Sequence, residues 1–371
     1  MIRRTILVIS IFLSVSIASG CWDQQLLQDV TMITSIGIDK GKDGKITYTV
    51  VGRNIQERAV SPERLQVIST VGTTPSDAKA NIDRKIPEVM SAAKSRILMF
   101  NDELAREPIY PVLDIFYRDP KQALNAKFAI VDGSTLQLLN RKYSDKPQVV
   151  DYAVDLIASE EEATGVNISN IQMICPVLFD PGQDAVVPYL SASENEIIIM
   201  GLALFNDQVM TGTINPSEAT LFLLLNNQLE KKAYINQRIT EERSPDILNF
   251  VSINVLKSKA KLKVHVSPDN QISADVNVTL KVDVLEYPHD KLDTKEEISK
   301  MAEILTDKLT DQAKVVINKL QEANCDSLGI GRRLIAYHND TWQKITWKDV
   351  YPDITITPKV QVEIIRHGII N

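Results

Sequence analysis

Residues 250–286 read FVSINVLKSKAKLKVHVSPDNQISADVNVTLKVDVLE, and this stretch decides the fold class. Leu262, Val264 and Val266 alternate against lysines, Pro268-Asp269-Asn270-Gln271 turns the chain, and Val276, Val278, Leu280 and Val282 repeat the alternation on the return. Successive side chains of a strand point to opposite faces, so a period of two predicts an antiparallel pair with one apolar and one wet face. The apolar face needs a cover, and the next segment supplies one. Over 296–323, Ile298, Met301, Leu305, Leu309, Val316 and Leu320 fall on one stripe at helical spacing, with polar residues on the other faces. The spacing predicts an amphipathic helix roughly 40 Å long lying across the sheet. Ile354, Ile356, Val360, Val362 and Ile364 alternate once more and predict a terminal strand closing that sheet.

Upstream, strands and helices interleave. Residues 32–39 and 46–51 flank Lys40-Gly41-Lys42-Asp43-Gly44, the pattern of a β-hairpin with a glycine-rich loop. A calcium loop is excluded there, because its third and twelfth ligand positions would be Gly41 and Val50. Helices are expected at 76–93 (interrupted by Pro87), 109–118 and 148–163, with buried strands at 96–100 and 128–131. Pro176, Pro181, Gly182 and Pro188 mark a loop-rich boundary; beyond it, 196–205 reads as a strand and Asn215-Pro216-Ser217-Glu218 opens a helix. Interleaved strands and helices give an α+β fold, the length allows about two or three domains, and the divisions are placed at 21–195, 196–255 and 256–371 after a leader at 1–20.

Composition narrows the function. Of 371 residues, 44% are hydrophobic and 24% charged, which is ordinary globular usage and excludes disorder, collagen and a disulfide-dense mini-protein. The formal net charge of −7 gives no electrostatic reason to expect nucleic-acid binding. His265, His289, His338 and His367 are widely scattered, and no HExxH, CxxC, GxSxG or phosphate-binding loop occurs; Gly329-Ile330-Gly331 lacks the required spacing. No catalytic, metal or cofactor site is predicted, and the chain is read as a non-enzyme. Trp342 and Trp347 are read as core residues.

Residues 1–20, MIRRTILVISIFLSVSIASG, have the order of a secretory signal: Arg3 and Arg4, an apolar run from Ile6 to Ile17, then small residues. Ala18-Ser19-Gly20-Cys21 resembles a bacterial lipobox, with Ala18 where Leu is most usual. Cleavage is expected between Gly20 and Cys21, with Cys21 carrying a diacylglyceryl group. Losing Arg3 and Arg4 takes the formal charge from −7 to −9. Two acyl chains suffice for stable membrane anchoring, and no downstream apolar run is long enough to span a bilayer. Of the remaining cysteines, Cys175 and Cys325, both a disulfide and two isolated buried thiols are compatible with an exported location.

Several short segments, in order, carry a family resemblance. Cys21-Trp22-Asp23 followed by Ile36-Gly37-Ile38-Asp39 resembles the start of the Ger(x)C family, the C subunits of spore germinant receptors in spore-forming Bacillota. Arg118-Asp119-Pro120 with Leu124-Asn125-Ala126 is similar to the family's RDP…LNA segment. Gly201 to Phe205 with Asn215 to Glu218 resembles the opening of its C-terminal half, and Gly329 to Gly368, with Trp342, Trp347 and Tyr351-Pro352, its closing block. Asn324 to Leu328 and His367 depart from the usual residues, which bears on receptor subtype. The resemblance implies a fold of mixed helices and antiparallel sheets in about three domains, attached at the outer surface of the spore inner membrane; with no active centre predicted, the acidic body is expected to be a non-catalytic scaffold. The resemblance implies as partners the germinant receptor A and B subunits, and no cofactor. The competing expectation is a solute-binding lipoprotein capturing a small nutrient, which would need a cleft with convergent polar groups.

Overall fold

The computed structural model of the chain describes residues 3–5, 30–54, 65–143, 148–193, 195–289 and 292–367. A first, nine-stranded sheet contains β1 (Val30–Lys40), β2 (Ile46–Asn54), β3 (Leu65–Gly72), β4 (Val89–Ser91), β5 (Ile97–Asn101), β6 (Lys127–Asp132), β7 (Val186–Ala192), β8 (Ile197–Asn206) and β9 (Val209–Ile214). Its order is β3-β2-β1-β5-β6-β7-β8-β9, with β4 beside the start of β1. The central strands β1, β5, β6 and β7 run parallel and the flanks antiparallel. Parallel neighbours need crossovers, and the intervening helices provide them: α1 (Pro75–Asp83), α2 (Tyr110–Arg118), α3 (Thr135–Asn140), α4 (Val149–Glu162) and α5 (Ile171–Leu178). The sheets are therefore mixed, where alternation alone predicts antiparallel ones. The reason shows in β5, ILMFN, buried at every position. Leu98 and Phe100 enter the cluster on one face of the sheet, and Ile97 and Met99 enter the cluster on the other. Burial on both faces is the mark of a parallel strand between helical layers.

The second sheet is ordered β10 (Ala233–Arg238), β11 (Phe250–Val266), β12 (Ile272–Glu286), β13 (Thr355–Arg366). β11 and β12 form the antiparallel pair expected from their alternation, whereas β13 joins β12 in parallel. Parallel joining follows from the long excursion through α7 (Lys295–Glu322) and α8 (Ile330–Tyr337). α7 opens on a capping box of Thr294 and Glu297 and buries Met301, Leu305, Leu309, Ala313, Val316, Ile317 and Leu320. Its threonines also close the edge of β13: Val362 N–H donates to Thr306 Oγ1 at 3.0 Å and Val360 N–H to Thr310 Oγ1 at 3.1 Å.

α6 (Pro216–Leu225) joins the two sheets. Its capping box is Asn215 with Glu218, and every residue from Ala219 to Leu225 is buried. A helix apolar all round must be enclosed, and α6 shares one core cluster with residues of both sheets.

Two local expectations change. The helix expected over 76–93 stops at Asp83, because Pro87 offers no N–H and disfavours helix at the residue before it, and Val89–Ser91 becomes β4 instead. The loop-rich zone is more ordered than its composition suggests: Pro176 lies inside α5 and Pro188 inside β7. β7 pairs with β8 across positions 195 and 196, so the first sheet is continuous where the sequence places a domain boundary.

Candidate functional site

Gly20 and Cys21, the predicted cleavage and lipidation residues, lie outside the described residues. Cys175, half-buried on α5, and Cys325, buried just after α7, are both free thiols. Burial pushes the Cys325 thiol up, which makes it unreactive. Among the described residues no group of three or more His, Cys, Asp or Glu side chains could hold a metal ion, and no helix is long and apolar enough to cross a membrane.

The Ile36-Gly37-Ile38-Asp39 motif is explained by its place on β1. Asp39, 6% exposed, accepts N–H bonds from Thr135 at 2.7 Å and Leu136 at 3.1 Å, and the Ser134 hydroxyl at 2.9 Å. It thereby caps α3, whose first N–H groups have no partner within the helix. Gly37 permits the approach: a Cβ there would stand 2.8 Å from Thr135 Cβ. The RDP motif is a surface turn, with Asp119 accepting the Lys121 N–H at 3.0 Å and Arg118 bridging Asp114 at 2.7 Å.

The N-terminal and C-terminal halves of the chain meet at two further buried carboxylates, Asp184 and Asp326, absent from every motif. Asp326, 1% exposed, accepts N–H bonds from Ile330 at 2.9 Å, Gly331 at 2.7 Å and the Trp347 indole at 3.0 Å. Its own N–H donates to Asp184 Oδ2 at 2.7 Å, and its carbonyl accepts the Asp184 N–H at 3.0 Å. Asp184, 3% exposed, also takes the Asp207 N–H at 2.8 Å and the Lys348 ammonium at 2.6 Å. Around this pair Arg332 bridges Asp180 at 2.5 Å, Gln183 donates to Ser327 O, and the Tyr351 hydroxyl donates to Cys325 O. Gly182 and Gly331 let the two segments touch, since a Cβ on Gly331 would lie 2.8 Å from Gly182 Cα.

The Lys348 ammonium pairs with Asp184 and, at 3.2 Å, with Asp207. Burial, with the neighbouring Asp184 adding to it, raises the Asp326 carboxyl to about 7 against the pull of its N–H donors. Trp347 is a core residue whose N–H finds a buried acceptor, and Trp342 packs half-buried against it at 5.9 Å between ring centroids. Sequence reasoning missed Asp184, Asp326 and Lys348. Asp326 stands four and five residues before Ile330 and Gly331, outside the two- to three-residue spacing of a helix cap, so no local signal marked it.

Beside the junction lies a cleft of about 130 Å³ with Asn167, Ser169, Gln183 and Ser327 on its walls. Ser169 and Ser327 are each 2% exposed. Asn167 Oδ1, Ser169 Oγ and Ser327 Oγ are buried without a hydrogen-bond partner. The arrangement can accept a small neutral hydrogen-bonding solute or ordered water.

Residues 23–192 match the family described as the spore germination protein N-terminal domain, and residues 200–368 the one described as spore germination B3/GerAC like, C-terminal. The spore germination protein GerQC of Bacillus cereus is 21% identical over 365 residues, covering 98% of each chain. Spore germination protein KC of Bacillus subtilis (strain 168) is 21% identical over 408 residues, 100% of this chain and 98% of the relative. The crystal structure of the GerBC protein superposes with a TM-score of 0.60 at 16% identity, covering 89% of this chain and 97% of that one, and so shares its fold.

Proposed function

Because the chain belongs to the GerAC-like family of spore germination proteins, we propose that it is the C subunit of a nutrient germinant receptor, a non-catalytic lipoprotein anchored through Cys21. It acts at the outer surface of the spore inner membrane as a scaffold with the A and B subunits. The observation that carries the reading is the end-to-end match: both family segments are present in order, behind a stretch that resembles a lipobox. Confinement to the membrane raises the effective concentration of partner surfaces, which is how a subunit without chemistry of its own contributes to a receptor.

The test compares the full chain with Cys21→Ala in spores, following membrane fractionation, co-purification of the A and B subunits, and nutrient-triggered germination. Release from the membrane, loss of partners and a slowed response are expected together. A variant that stays membrane-bound and fully active would refute the tether.

The cleft with its three unpartnered polar atoms favours a second reading, capture of a small neutral solute. That reading requires a ligand-dependent rise in melting temperature, which Ser169→Val with Ser327→Val would abolish.

A further inference from the structure

The two edges of the second sheet are treated differently. The β13 edge is closed by the threonines of α7. At the other edge, β10 pairs with β11 only over residues 250–255, so residues 257–266 have no strand partner on that side among the described residues. There the Ala260 N–H donates to Asn227 Oδ1 at 2.9 Å, which shows that the backbone groups of Ala260, and by alternation Leu262 and Val264, face the open side. Ala260, Leu262, Val264 and Val266 are only half-buried, although their neighbours across the strand pair, Ala274, Val276 and Val278, are buried. A hollow of about 260 Å³ runs beside them, between Leu262–His265 and Arg333, Tyr337 and His338 of α8 and its end. Tyr337 is 71% exposed there.

The charge on this edge has one sign. Lys257, Lys259, Lys261 and Lys263 are exposed on the outer face of β11. Among the described residues no carboxylate lies within ion-pair distance of these four; Asp275, opposite Lys263, is held by His265 at 3.0 Å, and Glu363 by Lys281. Lysines on an open edge do discourage sheet-to-sheet aggregation. That role leaves the apolar row and the adjacent hollow unexplained.

We propose that residues 257–266 of β11 dock an extended acidic segment of a partner protein, which adds to the sheet beyond β10 with its carboxylates over the lysine row and its apolar side chains against Leu262, Val264 and the hollow beside Tyr337. The match is of three kinds: the backbone groups of Leu262 and Val264, beyond the Ala260 N–H already taken by Asn227, for a strand, a half-buried apolar row for alternate side chains, and a cationic row for the other alternate side chains. A second copy of this chain is disfavoured, since an antiparallel pairing of two such edges would oppose lysine to lysine. A lipid surface would meet the lysines but leave the backbone groups and apolar row unused. The proposal goes beyond the receptor-subunit reading by naming a docking face, and it does not depend on Cys21.

The test adds a labelled peptide of alternating Glu and Val, about ten residues long, to the full-length chain, reading anisotropy and backbone hydrogen exchange. Saturable binding is expected, with exchange slowed at residues 257–266 and affinity falling as salt rises. Lys259→Glu with Lys261→Glu and Lys263→Glu should weaken binding by about tenfold or more at unchanged melting temperature. Lys261→Glu alone serves if the triple variant does not fold. No binding at about 1 mM peptide would overturn the proposal. Equal binding of a Lys-Val peptide, protection confined to other segments, or retention by anionic phosphatidylglycerol vesicles without protection of 257–266 would overturn it as well.

Discussion

Asp39 and Asp326 are both buried carboxylates that accept backbone N–H groups at the start of a helix, yet they hold different things together. Asp39 fixes α3 against β1, inside the first sheet, with two N–H donors and a hydroxyl. Asp326 takes two N–H donors and an indole from its own C-terminal segment, while its backbone exchanges two hydrogen bonds with Asp184. The first is a local cap, and the second organises the segment whose backbone meets Asp184 where the two halves of the chain touch. The difference teaches that the same chemistry is structural punctuation in one place and a joint between halves in another.

Removing each carboxylate separates these roles. Asp326→Ala strands three N–H donors in a buried site and should cost about 3–5 kcal/mol. Denaturant unfolding followed by Trp347 fluorescence should stay in one transition at a clearly lower midpoint, because the backbone bonds of residue 326 to Asp184 and the shared apolar core remain. A single transition with little change in midpoint would break the comparison. Asp39→Ala should cost less, about 2 kcal/mol, and leave unfolding in one transition. Lys348→Met leaves Asp184 with N–H donors but no cation, so a loss of about 1–2 kcal/mol is expected. Its check is the same denaturation at pH 7.

The smallest effect is a slope. Folded Asp326 keeps its proton up to about 7, whereas its ordinary value is 3.8. Between those limits the folded state binds more protons than the unfolded one, so this group's contribution is full at low pH and falls as pH rises through 7. One proton bounds the slope at about 1.4 kcal/mol per pH unit. Asp326→Asn should flatten the dependence of unfolding free energy on pH between roughly 4 and 7. An unchanged slope would place the titration elsewhere.

These two sites also mark how far the sequence could be read. The β11–β12 pair and α7 were legible because alternation and helical spacing are local and strong, and both formed within a residue or two of expectation. Asp39 sat in a motif beside Gly37, so its importance was visible while its partner, 96 positions away, was not. The Asp184–Asp326 joint spans 142 positions and lies between a proline-rich stretch and a cysteine-containing one, neither with any periodicity. Parallel pairing of β13 escaped for the same reason: alternation fixes which face a strand buries but not its direction. Cys21 belongs to another category, since its signal is a processing pattern with no fold content.

The contact between α7 and β13 has a consequence for how the tail finds its place. Thr306 and Thr310 are about 6 Å apart along a helix axis, and the alternate residues Val362 and Val360 are roughly 6.6 Å apart along a strand. The two spacings nearly coincide, so the helix acts as a gauge with two teeth. A slip of one residue would turn the N–H groups away from both hydroxyls and Val360 and Val362 out of the core. The strand β13 is thus measured against a helix made before it, and its register is read off that ruler.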